Sequence, residues 1–252
     1  MCIRDSNLIY DKLNSVIYGH QSIKSAIDIA CYDLASKSKK LPLYNYLGGK
    51  INKKIYTDYT VSLNDVDKMV EQAEQIVKKG FKIIKVKLGD NGKKDIERIK
   101  HIRKCIGDDK QIRIDANQGW NIEEAIDTLK NIDKYNIEYC EEPINRDLSF
   151  RLNEVKESSP VKIMADESLF TSYDAEMMVH GNHCDMFNLK IGKHGGLFET
   201  KKIVSIAEEN NIPMQVGGFI ESKIIFTVNC HLGHTSNLIK FFDCDSPLFH
   251  EL

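Results

Sequence analysis

The chain has 252 residues, 42% of them hydrophobic, and 35 lysines and arginines stand against 37 acidic residues for a formal net charge of −2. That near balance argues against a nucleic-acid or membrane surface as the main partner, and no apolar run approaches the roughly 20 residues of a membrane span. Seven scattered cysteines, an odd number with no C-x-x-C pair, argue against a disulfide framework or a structural zinc site; with no signal-peptide pattern at the start, they point to a cytoplasmic protein with reduced thiols.

In chain order, the opening MCIRDS lacks periodicity, and residues 1–6 are set apart as a non-native remnant. Ser22–Ser38 spaces Ile23, Ala26, Ile27, Ala30 and Leu34 at helical intervals behind Ser22 as N-cap, which predicts an amphipathic helix. From Ile55 the chain alternates strand and helix. The predicted strands are Ile55–Thr60, Lys82–Lys87, Gln111–Asp115, Ile137–Glu141, Val161–Ala165, Met186–Lys190, Met214–Val216 and Leu238–Asp243. Between them fall helices at about Asp65–Lys79, Lys93–Cys105, Ile122–Ile132, Leu148–Glu157, Ser172–Val179, Leu197–Glu209 and Lys223–Leu232. Eight parallel strands and seven helices imply an α/β, TIM-like barrel over residues 51–252. An open doubly wound sheet would need a glycine-rich phosphate loop after its first strand, and TVSLND is not one. The closing SPLFHEL stops directly after a strand, so the chain reads as a fragment.

A barrel of this kind carries its active site at the C-terminal ends of the strands. The second strand ends with Lys85 and Lys87, whose i, i+2 spacing places both amines on one face. Each of two adjacent ammonium groups favours loss of the other's proton, so one amine can serve as a base at neutral pH. Asp115, Glu141 and Asp166 end strands three to five, and three hard oxygen ligands suit Mg²⁺ better than zinc. Lys190 ends strand six, opposite strand two in a circle of eight, and Asp243 and Asp245 end strand eight, opposite strand four. That arrangement predicts a carboxylate substrate with an amine on either face of its α-carbon and a positive group reaching the two aspartates. A divalent ion would stabilise the second negative charge that proton removal creates.

The set KVKLG, RIDANQGW, EEP, ADES and NLKIGKHGG, one strand–helix unit apart, resembles the enolase superfamily in its muconate-lactonizing branch. The closing D-x-D, Asp243-Cys244-Asp245, is similar to that of the dipeptide epimerases, and the resemblance runs from about Ser22 to Asp245. It implies Asp115, Glu141 and Asp166 as Mg²⁺ ligands, Lys87 and Lys190 as the acid/base pair, and Asp243 and Asp245 as the holders of a substrate α-ammonium. Lys85 would steer the substrate carboxylate, Thr60 and Gly218 would touch substrate, and Glu142 would support the ligands from behind. The implied activity is that of an isomerase: inversion of the α-carbon of a dipeptide's C-terminal residue by two-base 1,1-proton transfer through an enediolate. Other branch members (a cycloisomerase, an N-acylamino-acid racemase, an o-succinylbenzoate synthase) act on substrates without the free ammonium, and a noncatalytic fragment is a further alternative. The family's α+β capping domain would be represented only by its last helix and loop, residues 7–50, with the C-terminal return to it missing. Dimers and octamers occur in the family, which leaves a homo-oligomer among the expectations.

Three features have plainer readings. His180/His183 and His231/His234 share an i, i+3 spacing suggestive of metal ligation, but each pair ends a helix, where capping or surface placement is the simpler use. Trp120 could line the cavity or pack. Lys93–Lys104 is charge-rich in the manner of a solvated helix face.

Overall fold

The computed structural model describes residues 3–50 and 52–249, with side chains from residue 7 onward. The elements are α1 (Ile3–Val16), α2 (Gln21–Ser38), α3 (Leu43–Tyr46), β1 (Tyr59–Val61), α4 (Val66–Lys78), β2 (Ile83–Lys87), α5 (Gly92–Ile106), β3 (Gln111–Asp115), α6 (Ile122–Ile132) and β4 (Ile137–Glu141). They continue as α7 (Leu152–Ser158), β5 (Ile163–Ala165), α8 (Ser172–His180), β6 (Met186–Leu189), α9 (Ile191–His194), α10 (Leu197–Glu209), β7 (Met214–Val216), α11 (Lys223–Leu232) and β8 (Ile239–Phe242). The strands follow sequence order, β1 to β8, in one parallel sheet, the α/β order that the alternation predicts. No helix among the described residues is long and apolar enough to cross a membrane.

The chain forms two compact units. One comprises Thr57–Leu169 and Met177–Phe187. In it β1 to β5 pair in parallel, and period 2 sends alternate side chains to opposite faces of the sheet. Ile84, Val86, Ile112 and Ile114 of the strands are buried, as are Met69, Ala73, Ile99, Ile102, Ala125 and Leu129 of the helices, each large apolar side chain adding about 1.5–3 kcal/mol. The other face is polar: Lys85 is register partner of Thr60 and Arg113, and Lys87 of Asp115. Asn91 and Asn121 cap α5 and α6 through the N–H groups of Lys94 and Glu124.

The loops after β2 and β3 touch backbone to backbone. A Cβ on Gly119 would lie 2.0 Å from the carbonyl oxygen of Gly89, and one on Gly89 2.1 Å from that of Ala116. Only glycine fits, and the φ of +96° at Gly89 adds a second reason. Buried Asp95 of α5 ties this junction, accepting from Gly89 N–H (3.0 Å), Trp120 Nε1 (2.9 Å) and Arg98 (2.7 Å). Trp120 is therefore a buried pin between two loops.

The other unit comprises Met1–Tyr56, Phe170–Glu176 and Asn188–Leu252. Here the structure departs from the predicted helix stripe. Ile23, Ala26, Ile27, Ala30 and Leu34 all face outward, Ile23 at 64% and Leu34 at 66% exposure, whereas Lys24, Ser25, Asp28, Ile29, Tyr32, Ala35 and Ser36 are buried. Polar bonds set this rotation: Asp28 accepts from the N–H of Leu197 (2.6 Å) and Phe198 (3.3 Å) at the start of α10, and Lys24 donates to Asn14 (2.7 Å). The N-cap is His20, in left-handed backbone, two residues ahead of the predicted N-cap Ser22. Helix α1, Ile3–Val16, is an element that the predicted set does not contain. Of the six residues set apart, 1 and 2 lie outside the described residues, as do the last three of SPLFHEL; α1 begins at Ile3.

Other differences are matters of length. β1 is Tyr59–Val61 rather than Ile55–Thr60, and the β6–β7 connection carries the short α9 before α10.

Candidate active site

Within the first unit, the candidate residues of β2 to β4 form one ion-paired group. Lys85 Nζ lies 2.8 Å from Glu141 Oε2 and 3.0 Å from Asp115 Oδ2, with all three side chains almost wholly buried. Lys87 Nζ lies 2.6 Å from the same Asp115 oxygen, its side chain 30% exposed. Asp115 and Glu141 are themselves register partners. Two cations thus converge on one carboxylate oxygen, which marks it as a place where positive charge is drawn.

Asp166 follows directly on β5, the neighbour of β4. Its N–H donates to Glu142 Oε2 at 2.7 Å, and Ser168 donates to the same carboxylate through its N–H (3.2 Å) and its hydroxyl. Burial pushes the Glu142 carboxyl up to about 7, against the lowering effect of these bonds from Ser168 and Asp166. Glu142 thereby fastens the segment carrying Asp166 to the end of β4. Its own φ of 36°, with 42° at Asn117 and 67° at Gln118, places three non-glycine residues in left-handed backbone at these strand ends.

Asn117, within RIDANQGW, is a residue to which the sequence assigned no role. Its Oδ1 accepts from Lys87 Nζ at 2.8 Å, and its Nδ2 donates to Glu167 at 3.1 Å. The signal was there in D-x-N: asparagine tolerates positive φ, and here that conformation turns its amide back toward the lysine.

Below this group lies a second charged layer. Arg113 donates to Asp58 (2.9 Å) and Glu138 (2.7 Å), and its guanidinium lies 5.5 Å from the centroid of the Tyr139 ring. Arg113 opens RIDANQGW, yet neither it nor Asp58 was assigned a role from the sequence; the register Lys85↔Arg113 reveals the layer.

In the second unit, Lys190 ends β6 and is 7% exposed. Its N–H donates to His194 Nε2 (3.2 Å), and the other ring nitrogen lies 2.8 Å from Phe170 O, so Nδ1 is the protonated nitrogen. Gly218 follows β7. Asp243 and Asp245 follow β8, both buried, with the Asp243 N–H bonded to Val216 O at 2.9 Å. Thr60 belongs to the first unit, beside Lys85 in register.

The histidine pairs take their plainer reading. His180 is exposed in the last turn of α8. His231 Nδ1 accepts from Tyr44 N–H at 3.3 Å, beside a cavity of about 440 Å³ that Lys50, Cys230 and His234 also line. In neutral His231 that bond leaves the proton on Nε2, which disfavours metal ligation.

Strand order, the polar face of β2 and β3 and the carboxylates at successive strand ends define one class. The chain belongs to the enolase C-terminal domain-like family, whose model matches residues 68–248. Among named relatives, a D-Ala-D/L-Ala epimerase of Cytophaga hutchinsonii is 47% identical over 95% of this chain and 65% of its own length. An L-Ala-D/L-Glu epimerase of Clostridium acetobutylicum is 38% identical over 98% of this chain and 70% of its own. The crystal structure of the dipeptide epimerase from Cytophaga hutchinsonii, complexed with Mg and the dipeptide D-Ala-L-Val, superposes with a TM-score of 0.94 over 95% of this chain and 65% of that one. The chain thus spans about two thirds of the length of the curated relatives it matches.

Proposed function

We propose that this chain carries the catalytic residues of a Mg²⁺-dependent dipeptide epimerase that inverts the α-carbon of the C-terminal residue. The observation that carries the reading is the convergence of Lys85 and Lys87 on Asp115, with Glu141 alongside. The relatives named as epimerases, one of them solved with Mg and a dipeptide, support it.

The donor set fits a hard divalent ion. Asp115, Glu141 and Asp166 offer buried carboxylate oxygens at the ends of three successive strands of one unit, with no nitrogen or sulfur ligand among them. When bound, Mg²⁺ would offset the extra negative charge that a substrate carboxylate takes on as its α-proton leaves.

In this reading the chain's own residues move the proton. Lys87, as the neutral amine, takes the proton from the α-carbon of the L-isomer and becomes ammonium; Lys190, as ammonium, gives a proton to the opposite face and becomes the amine. The carbon inverts and the two lysines exchange protonation states, so the reverse direction runs with their roles exchanged. Lys85 offsets the charge of Asp115 and Glu141 and steers the substrate carboxylate. Asn117 orients Lys87. Asp243 and Asp245 bind the free α-ammonium, and Thr60 and Gly218 line the substrate.

The test is incubation with Mg²⁺ and a dipeptide library in D₂O, read by mass spectrometry for deuterium at the α-carbon. Free dipeptides should gain one deuterium on inversion, and N-blocked dipeptides should not react. Turnover of N-blocked substrates alone would point to another member of the branch. Lys190→Ala should abolish epimerisation while Mg²⁺ binding persists; normal turnover in that variant would refute the two-base scheme.

A further inference from the structure

The loop after β7, GGFIES, carries two side chains that no motif singled out. The ring of Phe219 lies 5.1 Å from Lys190 Nζ. The carboxyl of Glu221 sits in a slot between two glycines: a Cβ on Gly218 would come within 2.8 Å of Glu221 Oε2, and one on Gly192 within 3.3 Å of Oε1. Asn229 of α11 closes the slot, with its amide 3.4 Å from Glu221 Oε2 and 3.3 Å from Gly217 O. The slot is thus built from the connections following β6 and β7 and from α11, all in one unit.

We propose that Glu221 and Phe219 form an anionic and aromatic cradle that positions the amine of Lys190, with Glu221 as a positioning residue for that lysine. The proposal rests on the reading of Lys190 as one of the two acid/base groups. A ring face and a carboxylate both favour the ammonium form, so the cradle holds the lysine in its proton-donating state and fixes where the proton is delivered.

The Glu221 carboxyl responds in turn. Burial pushes it up to about 7, against the Phe219 N–H, the Asn229 amide and the charge of Lys190, which lower it. Glu221 lies against Gly192, two residues beyond Lys190, and the charge of Lys190 is the one that lowers it; Asn229 is the neutral partner from α11. From α9, His194 bonds the Lys190 backbone and Lys193 is buried nearby. Above about pH 7 the ionised carboxylate strengthens the hold of Lys190 on its proton; below it the neutral acid relaxes that hold.

The experiment is an NMR titration of protein labelled with ¹³C at lysine Cε, with the Lys190 signal identified by its loss in Lys190→Arg. It is run beside pH profiles of kcat and KM in both directions. In Glu221→Gln the Lys190 midpoint should fall by roughly one pH unit, the loss of one nearby opposite charge. The limb of the kcat profile that belongs to Lys190 should move with it, the other limb should stay, and KM should change little. Phe219→Leu, at a half-exposed position where folding is secure, should move the same midpoint in the same direction by less. A Lys190 midpoint unchanged in both variants would overturn the proposal. Because the titration does not depend on turnover, it remains decisive even where Lys190→Ala stays active, a result that would instead refute the two-base reading.

Discussion

Lys85 donates to Glu141 at 2.8 Å with neither side chain appreciably reached by solvent, and the same ammonium lies 3.0 Å from Asp115. One buried cation thus offsets two buried carboxylates. The division of labour between the lysines of the K-x-K follows from it: Lys85 is enclosed by its partners, while Lys87 keeps a partly exposed side chain and contacts Asp115 and Asn117.

Replacing Lys85 with Met should therefore leave two carboxylates buried without this compensation. Denaturant unfolding should show a loss of about 3–5 kcal/mol, the usual cost of breaking a buried ion pair on one side. A loss under about 1 kcal/mol, typical of surface pairs, would mean that water reaches these carboxylates freely.

Mg²⁺ should raise the melting temperature, because a ligand at a hundred times its Kd adds about 2.7 kcal/mol to the folded state. Asp115→Asn should lose most of that rise at the same concentration. A variant that retained the whole response would remove Asp115 from the ligand set.

Asp28 gives a pH dependence with a definite sign. Burial raises its carboxyl from 3.8 to about 6, although the N–H groups of Phe198 and Leu197 pull it down. The folded state therefore holds this proton more tightly than the unfolded chain. The contribution is fully present below about pH 3.8 and is lost as pH rises through about 6. Asp28→Asn keeps an acceptor for α10 without the buried charge, and should flatten the change in stability between pH 4 and 7. Asp28→Ala should flatten it as well but cost about 1 kcal/mol for the lost cap. A slope unchanged in Asp28→Asn would assign the dependence to another group.

Trp120→Phe removes one of the three donors to buried Asp95 while keeping most of the ring. The expected cost is about 1–3 kcal/mol in denaturant unfolding, from a buried acceptor left short of a partner. Because the pinned loops follow the strands bearing Lys87 and Asp115, turnover should fall further than Mg²⁺ affinity. Unchanged stability would show that Asp95 is satisfied without the indole.

The sequence by itself determined the order of elements and the strand ends where chemistry can sit. Alternation with period 2 places Lys85 and Lys87 on one face, and strand–helix repetition brings Asp115, Glu141 and Asp166 to successive ends, because both are properties of neighbouring residues. Tertiary structure alone decided which face of α2 is buried: the apolar stripe Ile23–Leu34 reads as a core face, yet Asp28 turns it outward to reach α10, a bond spanning 169 positions that no local period encodes. It alone decided that Arg113 and Asp58 pair beside Lys85, that Asn117 meets Lys87, and that the ring of Phe219 lies against Lys190. Each of these pairs depends on how strands register and loops fold back, and such distances are fixed by packing between elements rather than by residue spacing within one.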